Sequence, residues 1–151
     1  MARARTNTRS SARDVFAKTR IDHASETFQD YVEAIDDIVS RDGSCRVRDL
    51  VESMKVSHVT VVRIVRRIAA AGLATKEPHG PIALTAEGKR MARASRERHA
   101  VVVAFLRLIG VPEAEARSDA EGMEHHVGPH TLAAMRRALA ETKPARFGGS
   151  R

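Results

Sequence analysis

The stretch "SHVTVVRIVRRIAAAG", residues 57–72, limits the fold more than any other part of the chain. Ser57 is a natural N-cap and Gly72 a natural stop, so the segment between them reads as one helix. Ahead of it, "RVRDLVES" makes a short helix and Met54-Lys55-Val56 a tight turn. Such turns often carry Gly for a left-handed conformation, so Lys55 is expected to be strained. Behind it, "LATKEPHGPIALT" offers two short extended pieces around Pro-His-Gly-Pro, a small hairpin. A longer helix precedes all of this from Ile21 to about Arg41. Its apolar residues Phe28, Tyr31, Val32, Ile35, Ile38 and Val39 fall at helical spacing, and Gly43 stops it. Helix, short helix, turn, helix, hairpin is the order of a winged helix-turn-helix.

The rest of the chain reads as helical. Thr85 caps "AEGKRMARASRERHAVVVAFLRLIG", Pro112 starts a helix running to about Val127, and Gly128-Pro129 separates it from "HTLAAMRRALA". The expected fold class is therefore mainly α, with three helices and a β-hairpin wing followed by a helical dimerisation domain. The expected divisions are a loose basic arm over 1–20, the winged helix over 21–85, a helical metal-binding and dimerisation domain over 86–141 and a flexible tail over 142–151. Dimerisation is expected because "VVVAFLRLI" and "HTLAAMRRAL" offer more apolar surface than so small a body buries alone.

A net charge of +7 suggests an anionic partner, but its location matters. Within residues 1–20, six basic residues against one acid leave five of those seven charges on an Arg/Ser/Ala-rich stretch, read as a solvated arm that touches phosphate. DNA binding must therefore rest on local placement. The helix opening at Ser57 is expected to lie in the major groove with Ser57, His58, Thr60, Val61 and Arg63 facing base edges. Arg66 and Arg67 are expected to grip phosphate, with Arg46, Arg48, Lys76 and His79 as peripheral contacts. Aromatic residues at 3% and the absence of Trp argue against a stacking platform for single strands. The single Cys45 excludes an internal disulfide framework, as suits a reducing cytoplasm. No apolar run approaches the roughly 20 residues of a membrane span.

Acids and imidazoles crowd into "DAEGMEHHVG", residues 119–128. At about 100° per residue, Ala116, Ala120, Met123 and Val127 define an apolar stripe. Glu121, Glu124 and His125 gather on another face, while Asp119 and His126 fall on the other flank. On the first helix, Asp30 and Glu33 lie roughly opposite the Phe28/Tyr31/Ile35/Ile38 stripe. His99 sits just before the most apolar turn of the linking helix. Gathering four carboxylates at one junction is costly unless a cation joins them. Oxygen and imidazole donors without thiolate suit Mn(II) or Fe(II) better than structural zinc.

Taken together, "QDYVEAI", "VSHVTVVRIVRRI", "LT" followed by "GK", "RHAVVVAFL" and "DAEGMEHHV" resemble the diphtheria toxin repressor family of metal-dependent regulators, over about Asp22 to Leu139. The resemblance implies an N-terminal winged helix, a helical dimerisation domain and a dinuclear metal site where they meet. Its ligands fall on Asp30, Glu33, His99, Glu121, Glu124 and His125. The iron-responsive branch has Met in place of Asp30 and Cys in place of Glu121, so the carboxylates here imply the manganese-responsive branch. Two Mn(II) ions per subunit are then expected as corepressor, with Fe(II) as the other candidate. The homodimer would bind double-stranded operator DNA in the cytoplasm, repressing Mn(II) uptake genes or activating efflux genes. The SH3-like domain of the iron-responsive relatives is not expected here.

Two other readings follow from the same residues. A metal-dependent enzyme would need a motif such as HExxH, a nucleophile elbow or a phosphate-cradling Gly loop, and the chain has none. A metal-independent winged-helix regulator could sense a small ligand, or an oxidant through Cys45.

Overall fold

The computed structural model describes residues 8–78 and 80–142, with side chains from residue 25 onward. The chain is mainly helical: α1 (Thr8–Asp42), α2 (Val47–Met54), α3 (His58–Ala70), β1 (Ala74–Lys76), β2 (Ile82–Leu84), α4 (Ala86–Leu108), α5 (Glu113–Met123) and α6 (Pro129–Glu141). It divides into two compact units, 1–92 and 93–151. The division falls inside α4 rather than at Thr85, because Met91 and Ala92 still pack into the first core.

The first unit has the winged-helix order. α1 contributes Tyr31, Val32, Ile35 and Ile38, all buried, and α2 contributes Leu50. From α3 come Val61, Ile64, Val65 and Ile68, a stripe at the i, i+3, i+4, i+7 spacing of one helical face. α1 closes on Gly43, whose φ of 78° suits glycine and whose N–H reaches the Val39 carbonyl at 2.9 Å. Its start differs from the expected Ile21. Helical backbone begins at Thr8 and takes in residues assigned above to a loose arm. That stretch, "TRSSARDVFAKTR", has no Gly or Pro to stop a helix. Residues 1–7 and 143–151 lie outside the described residues, as does His79.

Lys55 adopts φ 54°, ψ 39°, the left-handed conformation expected of this turn, and is the only non-glycine residue with positive φ among those described. This strain turns the chain sharply enough for α3 to start on Ser57, whose Oγ accepts the Thr60 N–H at 3.2 Å. β1 and β2 pair antiparallel, Ala74 opposite Leu84 and Lys76 opposite Ile82. The Ile82 N–H also bonds the Cys45 carbonyl at 2.7 Å, tying the wing to the loop before α2.

Thr85 joins the wing to α4. Its hydroxyl donates to the Gly72 carbonyl at 2.7 Å and accepts the Gly88 N–H at 3.1 Å. That contact brings α4 so close to the wing that a Cβ on Gly88 would lie 2.0 Å from the Leu73 carbonyl oxygen. Gly88→Ala should therefore destabilise the protein by about 2–3 kcal/mol through forced backbone displacement, read as a lowered thermal midpoint. A midpoint equal to wild type would show that the approach is looser than described.

The second unit is built from the rest of α4 with α5 and α6. Val102, Val103, Leu106, Ala116, Ala120 and Met135 form its buried core, with Phe105, Val111, Val127 and Leu132 packed at its edge. Much of the apolar surface of "VVVAFLRLI" is thus used within the unit, while Ile109 stays 61% exposed and Leu108 37%. Met123, expected on the buried stripe of α5, is 38% exposed. α5 also ends earlier than expected, at Met123 rather than Val127. Residues 124–126 form a turn in which Glu124 keeps αR backbone, and Gly128 at φ −69°, ψ 162° is extended as Pro129 requires.

Candidate metal centre and nucleic-acid interface

His99, on α4, and Glu121 and Glu124, at the end of α5, bring one donor atom each within 4.8 Å of one another. His99 Nδ1 lies 2.7 Å from Glu124 Oε2, and its Nε2 lies 3.9 Å from Glu121 Oε1. His125 Nε2 is 3.5 Å from Glu124 Oε1. Four of the six expected ligands are therefore neighbours in one unit. Glu124 is the C-cap of α5, where it reaches His99 of α4, and His125 follows in the turn beyond.

The four differ in exposure. Glu124 keeps only 5% of its side-chain surface, His125 13% and His99 24%, whereas Glu121 keeps 75%. Burial pushes the Glu124 pKa up, opposed by the hydrogen bond and charge of His99 and the charge of His125. A buried carboxylate so held is costly, and a divalent cation would relieve that cost. Donors of one cation with bonds of about 2.0–2.2 Å stand on the order of 3–4.5 Å apart. With one donor from each of His99, Glu121 and Glu124 inside 4.8 Å, small side-chain movements would close the set on a divalent ion, and its oxygen and imidazole chemistry suits Mn(II). Asp30, exposed, and Glu33, half-buried, belong to α1 in the first unit.

On α3, His58, Val59, Val62, Arg63, Arg66 and Arg67 line one open surface. His58, Arg63 and Arg66 are exposed on it, as a nucleic-acid interface requires. Val61 is not on that surface. It is fully buried in the first core, so it cannot meet a thymine methyl. The residue presenting an apolar group is Val59, 76% exposed, two positions earlier and about 200° around the helix. Turning the wheel from the Val61/Ile64/Val65/Ile68 stripe finds Val59 and Val62 without any structure.

Ser57 and Thr60 form the cap of α3, their hydroxyls 2.9 Å apart, and Thr60 is half-buried. Arg67 places its guanidinium over the Phe28 ring at 5.3 Å, a cation–π contact to α1 that occupies one face of the group expected to grip phosphate. Arg46 and Arg48 are exposed before and within α2, where Arg48 pairs with Asp49 at 3.3 Å, and Lys76 is exposed at the end of β1. The two valines make a direct test. Val61→Ala should cost about 1–3 kcal/mol of stability, whereas Val59→Ala should leave the thermal midpoint within about 0.5 kcal/mol of wild type and change only DNA binding. Equal stability losses for both would contradict the assignment.

Residues 85–148 match the family described as iron dependent repressor, metal binding and dimerisation domain. The transcriptional regulator MntR of Escherichia coli O157:H7 is 44% identical over 121 residues, which is 80% of this chain and 78% of that one. The HTH-type transcriptional regulator MntR of Bacillus subtilis (strain 168) is 32% identical over 106 residues, 70% of this chain and 75% of the relative. Among solved structures, a manganese-dependent transcriptional repressor in complex with manganese is 29% identical, with TM-score 0.63 over 75% of this chain. The metal-dependent transcriptional regulator MtsR, at 21% identity and TM-score 0.68 over 82% of this chain, shows the likeness of fold. This chain spans 52% and 58% of those two solved chains. Identity of 44% over 121 residues must reach into both units, beyond what a shared fold alone produces. The chain belongs to the diphtheria toxin repressor family of metal-responsive transcriptional regulators, in the group that holds the MntR proteins.

Proposed function

We propose that this chain is a manganese-responsive repressor that binds double-stranded operator DNA as a homodimer in the cytoplasm, with Mn(II) as corepressor. The convergence of His99, Glu121 and Glu124 on one point carries the reading, since it supplies an oxygen- and nitrogen-donor site in a family of metal-responsive regulators. His125 stands beside it, and Asp30 and Glu33 are the proposed further ligands, enough for two ions per subunit. Mn(II), when bound, would add positive charge beside the buried Glu124 carboxylate. The protein's own part is to hold Glu124 against His99 and keep the carboxylates close despite their repulsion. Ligation by Asp30 and Glu33 would tie α1 to this centre and restrict the DNA-binding unit, so DNA binding would lose less ordering entropy, and operator DNA must in turn tighten Mn(II) binding.

The relatives' names describe transcriptional regulators, in keeping with a non-enzymatic role. Among the described residues no helix is long and apolar enough to cross a membrane. The oxidant-sensing alternative is not favoured: Cys45 is fully buried, and burial pushes its thiol up to about 12, far from a reactive thiolate. The decisive experiment is a gel shift with the promoter of a manganese importer. Retardation should require Mn(II) and reverse on chelation; equal retardation with and without metal would refute the proposal.

A further inference from the structure

We propose that Arg98 is a positioning residue for the metal centre, holding the final turn of α5 so that Glu124 meets His99. This rests on the metal-centre reading above. Arg98 and His99 are neighbours on α4, and both reach the same residue. His99 takes the Glu124 carboxylate at 2.7 Å, while Arg98 Nη1 donates to the Glu124 backbone carbonyl at 3.3 Å. One grips the side chain, the other the peptide that aims it.

Glu124 is the C-cap of α5, where a helix leaves carbonyls without partners of its own. Nearby carbonyls in this turn are bonded locally. Ala120 O accepts the Glu124 N–H at 2.9 Å, and Met123 O accepts from His126 at 2.9 Å and Val127 at 3.1 Å. The Glu124 carbonyl accepts instead across from α4, and a guanidinium suits the negative end of the α5 dipole. The turn needs such support. α5 has only 11 residues, too few for a helix to persist by itself. Gly122 in its last turn, with open space where a Cβ would be, adds backbone freedom. Fixing the Glu124 peptide therefore fixes the direction of its side chain and of His125 next to it.

The sign of the effect separates this role from electrostatics. A cation beside a cation site repels the metal, so an Arg98 acting through charge alone would weaken Mn(II) binding, and its removal would tighten it. An Arg98 acting by position does the reverse. Mn(II) titrations of the full chain, followed by the electron paramagnetic resonance of the free ion, should show Arg98→Ala binding about tenfold more weakly than wild type. Arg98→Lys, which keeps a donor, should recover most of that loss. Hydrogen exchange of the metal-free proteins supplies the second reading. Amides 124–127 should exchange faster in Arg98→Ala while those of 102–106 stay protected. Binding by Arg98→Ala that equals or exceeds wild type overturns the proposal, as does faster exchange spread evenly through both segments. Failure of the wild-type chain to bind Mn(II) would bring down the metal-centre reading itself, and this inference with it.

Discussion

Glu124→Gln should lower Mn(II) affinity by more than about 100-fold and abolish metal-dependent operator binding, while the metal-free protein melts no lower than wild type. Loss of an outer partner of a metal ligand typically costs about 10–100-fold, and Glu124 is proposed as a ligand itself. It is the most buried acid of the cluster and lies within reach of both His99 and His125. Glutamine keeps its shape and one acceptor but not its charge. In the metal-free state that charge is a burden, since burial raises the Glu124 pKa despite the imidazoles beside it. Titration calorimetry with Mn(II) and a thermal melt with chelator test the two halves. Retained affinity, or a melt collapsing with it, would contradict the assignment. The same shift sets two opposite pH trends. A carboxyl whose folded pKa is raised favours the folded state at low pH and loses that contribution as pH rises through the folded value. Protons compete with the cation for the same oxygen, so Mn(II) loading should fall as the medium is acidified.

Reversing two charges on the open face of α3, Arg63→Glu with Arg66→Glu, should reduce operator affinity at least about 1,000-fold at fixed salt and leave the fold intact. A guanidinium forked onto guanine is worth about 1–3 kcal/mol, and each phosphate contact adds a salt-dependent increment. Reversal also sets carboxylates against the phosphate backbone. Both arginines are exposed and outside the Val61/Ile64/Val65/Ile68 stripe, so the thermal midpoint should move little. Fluorescence anisotropy at several salt concentrations in saturating Mn(II) provides the measurement. Affinity within tenfold of wild type would remove α3 from the interface. The Arg66→Ala single variant should lower the salt slope by about 1, whereas Arg63→Ala should chiefly relax sequence preference.

Local chemistry made much of this legible in advance. Ser57 capping α3, Thr85 capping α4, Gly43 and Gly72 as stops and the strained Lys55 each depend on one residue's backbone or side-chain preference. Such preferences act over three or four residues and survive without knowledge of the rest. Helical periodicity separated Glu121 and Glu124 from the buried Ala116 and Ala120 for the same reason. Where the reading failed, the deciding force came from elsewhere. Val61 was given to DNA because the first turns of such a helix face the groove, but the core of α1 and α2 claims that side of α3 and leaves Val59 outside. α5 ends at Met123 rather than Val127, and Met123 itself is 38% exposed instead of lying on the buried stripe.

Amino-acid order by itself determined the element sequence, the caps and turns and the kinds of donor offered to a metal, because these follow from nearest-neighbour sterics and side-chain chemistry. Tertiary structure alone decided that His99 stands 2.7 Å from a carboxylate 25 residues away. It alone brought Arg98 to the peptide of that residue. Those outcomes depend on how separate helices pack, and a packing interface is chosen by the sum of many weak contacts that no short stretch of chain contains.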